Sequence, residues 1–152
     1  EKWIPFIEDG FSKTGRKISA EFSEKIPKLM KNHPWYVQQL SFFIWAETET
    51  EVTAEIFENA LRRLLSGNEP LFKNIIESFS IGQINLLKAI LNEAEQLSSK
   101  KTIAEYDLGS SGNVNKNKQT LINRDILDDN SDKLELLDPV FEMWFRKIFV
   151  NK

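Results

Sequence analysis

The sequence predicts a mainly α-helical protein: a helical array over residues 1–79, then a winged-helix domain with a small β-hairpin over residues 80–152. Three observations predict it. Apolar residues recur at spacings of three and four, and Leu, Ile and Phe outnumber Val and Thr, which favours helices over strands. From Ser80 onward, three short helical patterns, a hairpin pattern and a closing aromatic helix follow in winged-helix order. Finally, 152 residues with 41% hydrophobic content can fill two small cores, and Ser80 caps the second directly, leaving little or no linker.

Element by element, Ser19 can cap a stripe through Phe22, Ile26 and Met30, with a kink or break expected at Pro27 because its ring clashes with the Ser23 carbonyl. Pro34, behind His33, takes the favoured first position of a second helix. That helix is apolar on nearly every face from Trp35 to Ala46, so it is expected to be central and buried, with Trp35, Tyr36, Phe42, Phe43 and Trp45 packing in the core. Thr53 caps a third helix, through Ile56, Phe57, Ala60, Leu61, Leu64 and Leu65, with Gly67 as its left-handed stop. Pro70 then starts a fourth, through Leu71, Phe72, Ile75, Ile76 and Phe79.

In the second half, Ile81 to Leu91 forms the first helix, Ser98-Ser99 introduces a short second one, and a third runs from about Asn113 to Arg124 after the turn Gly109–Gly112. Residues 126–129 and 133–137 bracket the polar turn Asn130-Ser131-Asp132 as a hairpin, the wing. Asp138-Pro139 launches a last helix whose Val140, Phe141, Trp144, Phe145 and Ile148 can pack back onto the core.

Composition narrows the chemistry. With no cysteine there is no disulfide, zinc knuckle or thiol nucleophile, and a cytoplasmic location is expected. No apolar run approaches the roughly 20 residues needed to span a bilayer, so no membrane partner is expected. The opening Glu1-Lys2-Trp3 is neither a signal peptide nor a natural initiator, which suggests an excised or processed chain. A net charge of −3 removes the basic excess usual in proteins that grip phosphate backbones.

Three motifs lack the residues their chemistry needs. Gly10 to Lys17 has the glycine spacing of a phosphate-binding loop, but its lysine is one place late and no Ser or Thr follows to hold magnesium; a surface turn is the better reading. Asp128, Asn130 and Asp132 alternate like calcium ligands, yet Lys133 and Pro139 replace the required Gly and Glu. His33 stands alone, without a second ligand or a catalytic neighbour. The third helix of the second half keeps its interest: Asn115, Lys116, Gln119 and Asn123 fall opposite Val114 and Leu121, where they can reach phosphates and base edges, with Lys133 on the wing beside them. Against that, residues 80–152 hold ten basic and eleven acidic side chains, and a winged helix without a basic footprint often contacts protein instead.

Phe6-Ile7 followed by Phe11, Gly15-Arg16-Lys17-Ile18, the run His33-Pro34-Trp35-Tyr36-Val37-Gln38-Gln39-Leu40, Ser80-Ile81-Gly82-Gln83 and Leu137-Asp138-Pro139-Val140-Phe141-Glu142-Met143-Trp144 together resemble the C-terminal part of archaeal-type, STAND-related AAA+ ATPases. The resemblance spans nearly the whole chain and implies a lid-type helical array followed by the winged helix, with a P-loop ATPase domain of the same protein before Glu1. It implies that Pro34 is the nucleotide-sensing proline of a Gly-x-Pro element, with Asn32 in the glycine's place. It also marks Lys118 at a position usually apolar, and Asp125 where a glycine commonly ends the third helix. ATP and magnesium are expected only with the ATPase domain, and no cofactor in this chain.

The expectation is therefore a non-catalytic regulatory module of an AAA+ ATPase, coupling nucleotide state to DNA or a partner protein. It is not an enzyme by itself, because phosphoryl transfer needs phosphate cradle, magnesium ligands and water-positioning groups together. The alternative is a free-standing winged-helix DNA-binding transcription regulator whose helical half dimerises.

Overall fold

A computed structural model describes residues 2–130 and 132–151. It is mainly helical, with one two-stranded antiparallel hairpin, and it folds as two compact units, Glu1–Glu69 and Pro70–Lys152.

The first unit holds α1 (Trp3–Ser12), α2 (Ala20–Leu29), α3 (Pro34–Glu47) and most of α4 (Ala54–Glu77). Helix α1 lies ahead of the first helix expected, the one capped by Ser19, and takes in Gly10, the first glycine of the rejected phosphate-loop motif. Pro5 is tolerated because it occupies the first turn, where its missing N–H costs no intrahelical bond. Ser19 caps α2, its hydroxyl accepting from the Phe22 N–H at 3.3 Å. The break expected at Pro27 does not occur: only Lys28 and Leu29 follow it in the helix, so little of the hydrogen-bond ladder is lost. Between the helices, a single bridge joins Lys17 to Glu51, with Lys17 N–H donating to Thr50 O at 2.8 Å and Val52 N–H to Lys17 O at 3.0 Å. Ile26, Met30, Val37, Leu40, Ile44, Phe57 and Leu64 close the core, all wholly buried.

Two expectations about the array are overturned. Gly67 does not stop a helix and Pro70 does not start one; α4 runs through both. Phe57, Ala60, Leu64 and Phe72 repeat at helical spacing on one face, all wholly buried, so packing on either side carries the helix across the proline. The Asn68 side chain donates to Leu64 O at 2.8 Å within this stretch. Nor is α3 buried all round. Tyr36, Val37, Leu40 and Ile44 are buried, but Trp35 is 65% and Phe42 55% exposed, so the five aromatics do not all enter the core.

The second unit begins with the end of α4, whose Phe72 packs edge-on against Phe141 and tilted against Trp144, with ring centroids 5.4 and 5.7 Å apart. Helix α5 (Ile81–Leu91) opens with a full capping box: the Ser80 hydroxyl accepts from the Gln83 backbone N–H while the Gln83 side-chain Oε1 accepts from the Ser80 N–H. Helix α6 (Lys100–Tyr106) is capped by Ser99 and α7 (Ser111–Asn123) by Ser110, two residues earlier than the sequence suggests. Strands β1 (Leu127–Asp128) and β2 (Glu135–Leu136) pair Leu127 with Leu136 and Asp128 with Glu135, placing both leucines in the core. Of the expected wing turn, Ser131 lies outside the described residues. Asp138 accepts from the Val140 and Phe141 N–H groups at 2.9 Å to start α8 (Pro139–Phe145), and a π-helical turn, Arg146–Val150, ends the unit.

Candidate nucleic-acid interface

Helices α6 and α7 form a helix-turn-helix whose turn is set by two left-handed residues, Asp107 at φ 53° and Gly109 at φ 80°. At Gly109 the constraint is also steric, since a Cβ would lie 2.6 Å from Asn113 Nδ2. Val114 and Leu121, seven apart, anchor α7 in the core. That phase turns Asn115, Lys116, Gln119 and Asn123 outward, all four exposed. Gln119 Nε2 donates to Asn123 Oδ1 at 2.9 Å, so two amides are already aligned along the face. Near the N-terminal end of α5, Gly82 allows close approach, since a Cβ there would lie 2.9 Å from Asn117 Nδ2.

Lys118 is half-buried on the flank of α7 and lines a groove of about 620 Å³ together with Ile90, Val114, Asn115 and Lys133. Its aliphatic stem fits that semi-apolar wall, which resolves the departure noted at this position. Asp125 takes a left-handed φ of 55° after α7, doing the work of a terminating glycine. Arg124, at the C-cap, is committed to structure: its guanidinium lies 4.8 Å over the Phe79 ring and donates to Ser78 Oγ at 2.6 Å.

The structure thus gathers Asn115, Lys116, Gln119 and Asn123 on one face of α7, and places Lys133 in the groove shared with Asn115 and Lys118. Lys133 is engaged there, its Nζ 2.6 Å from Glu93 Oε1. Hydrogen bonding and charge attraction to Lys133 hold the Glu93 carboxyl below its ordinary value of 4.5, and the same contact raises Lys133 above 10.5. Glu93, at φ 56° in the turn after α5, escaped the sequence reading because 40 residues separate it from its partner. The wing around Lys133 is acidic, with Asp128, Asp129, Asp132 and Glu135. Asp128 accepts from the Asn130 N–H at 2.9 Å, as a turn-forming aspartate does.

Pro34 belongs to the first unit. It is exposed at the head of α3, behind Lys31 and Asn32 with left-handed φ values of 47° and 56°. Asn32 therefore supplies the backbone geometry that a glycine would.

A three-helix core with a capped recognition-type helix and a β-ribbon wing defines the second unit as a winged helix. A family described as a probable winged helix domain matches residues 70–147, half of the chain, and the chain belongs to that family. No curated protein and no solved structure matches it. No described helix is long and apolar enough to cross a membrane.

Proposed function

We propose that this chain is a non-catalytic binding module whose winged helix presents α7 to nucleic acid. The observation that carries the reading is the exposed row of Asn115, Lys116, Gln119 and Asn123. Amides of this kind pair with adenine edges, and a lysine reaches phosphate or guanine. Because the unit has no basic excess and its wing lysine is held by Glu93, backbone attraction is weak and affinity rests on the α7 contacts. Titration of a labelled duplex at two salt concentrations tests this. Lys116→Glu weakens binding and lowers the salt slope by about 1, while Asn115→Ala narrows the difference between duplex sequences. Absence of binding at low salt, or binding indifferent to both variants, overturns the reading in favour of a protein partner for the same face.

A second reading has its own support. The left-handed Asn32 and the exposed Pro34 fit the lid element of the AAA+ ATPases that the sequence resembles, in which lid and winged helix couple nucleotide state to a bound partner. On that reading ATP and magnesium belong to a P-loop domain of the same protein. A GxxxxGK[ST] loop encoded upstream in the same frame supports it. A start codon immediately before Glu1 overturns it in favour of a free-standing regulator.

A further inference from the structure

The first unit leaves two aromatic stripes partly uncovered. On α1 and its C-cap, Trp3, Phe6, Gly10 and Lys13 follow at spacings of three and four; on α3, Trp35, Gln38, Phe42 and Trp45 do the same, so each set lies along one helix face, with Phe6, Trp35 and Phe42 exposed and Trp3 and Trp45 half-buried. Phe6, Gly10, Phe42 and Trp45 line a shared groove of about 560 Å³. Its walls are built rather than loose. Trp45 donates through Nε1 to Thr14 Oγ1 at 2.9 Å and carries the Arg16 guanidinium 4.3 Å from its ring centroid. Phe42 stacks on Trp45 with centroids 5.9 Å apart, and Trp3 meets Phe6 edge-on at 6.0 Å.

We propose that this α1/α3 face is the interface of a homodimer. Area argues for it first. Phe6 is 60%, Trp35 65% and Phe42 55% exposed, and each such ring can bury about 150–250 Å², so these three alone offer roughly 300–400 Å² per copy. That is close to half of the roughly 800 Å² each partner contributes to a stable interface. Shape argues next. Phe6 projects one helical turn from Gly10, around whose missing side chain no atom lies within 4 Å apart from its chain neighbours and the backbone of its own helix. A two-fold axis between them places Phe6 of each copy over Gly10 of the other, the self-complementary relation that a symmetric dimer requires. Charge argues last. Asp9 and Lys13 on the rim pair at 2.5 Å and Gln38 is neutral, so apart from the Arg16 guanidinium over Trp45 these residues add no net charge to repel a second copy.

Sedimentation equilibrium on the whole chain tests the proposal without reference to DNA. The expected result is a reversible monomer–dimer equilibrium in the micromolar range, weakened at least about tenfold by Phe42→Glu and by Phe6→Glu. Leu71→Glu and Ile81→Glu, which alter exposed apolar residues of the second unit, leave it unchanged. Gly10→Gln guards against misfolding: it fills open space with a better helix former, so it keeps or raises helicity while dissociating the dimer. A wild-type chain monomeric throughout the micromolar range overturns the proposal. So does a dimer that survives Phe6→Glu, Phe42→Glu and Gly10→Gln.

Discussion

Helices α3 and α7 are of similar length and each carries the candidate surface of its unit, yet only α7 revealed that surface in its sequence. On α7 the two apolar anchors Val114 and Leu121 fix a phase, and the opposite polar row is exposed as that phase requires. On α3 almost every position is apolar, so periodicity carries no phase and full burial looked natural. The structure instead covers one face and leaves Trp35 and Phe42 in solvent. An all-round apolar helix thus marks either a core or an interface, and only the helices around it decide which.

The largest expected effect separates the cores beneath these surfaces. Phe57→Ala in the first unit and Phe145→Ala in the second each remove a wholly buried ring, at a cost of about 3–5 kcal/mol. Hydrogen exchange resolved along the chain is expected to show each substitution loosening chiefly its own unit. Equal loss of protection in both units for either variant would merge the two units energetically and break the comparison.

Two glycines sharpen it at smaller scale. Gly67 is helical and open, so Gly67→Ala should stabilise by roughly 0.5–1 kcal/mol, because alanine loses less backbone freedom on entering a helix. Gly109 is left-handed and crowded by Asn113, so Gly109→Ala should destabilise by about 1 kcal/mol or more and displace the start of α7. Chemical denaturation gives both signs directly. Stabilisation by Gly109→Ala would mean that the turn before α7 is not held as described.

Loss of one cap comes next in size. Asp138 accepts two backbone N–H groups at the head of α8, and Asp138→Ala should cost about 1 kcal/mol. Asp138→Asn, which keeps the accepting oxygen, should recover most of that in the same denaturation experiment.

Legibility followed local chemistry. The caps at Ser19, Ser80, Ser99 and Asp138 are read directly from residue type and spacing, and so is the existence of the hairpin, though not its register of Leu127 against Leu136. What could not be read depended on distant packing. Gly67 and Pro70 carry strong local signals for a helix end and a helix start, yet the buried stripe from Phe57 to Phe72 overrides them. Helix α1, whose Pro5 matters little in a first turn, lies ahead of the first helix read from the sequence. In the site, the polar row of α7 was legible, but the Glu93–Lys133 contact was not, since neither residue announces a partner 40 positions away.

That contact yields the smallest effect and the clearest test of how the wing differs from α7. Glu93 has its carboxyl pKa lowered, so its contribution to stability is present above 4.5 and is lost as pH falls through the lowered folded value. Lys133 has its pKa raised, so its contribution is present below 10.5 and is lost as pH rises through the raised one. Between these limits neither group titrates, and the difference in melting temperature between the wild-type chain and Glu93→Gln should be small and flat, shrinking only in acid or strong base. Both side chains are largely exposed, so added salt should shrink it too. In duplex titration, Glu93→Gln should strengthen binding modestly at low salt, because it removes a carboxylate that repels phosphate beside Lys133, while Lys116→Glu still dominates. Should Glu93→Gln instead outweigh Lys116→Glu, the wing rather than α7 would be the principal contact, and the ranking of the two surfaces would be reversed.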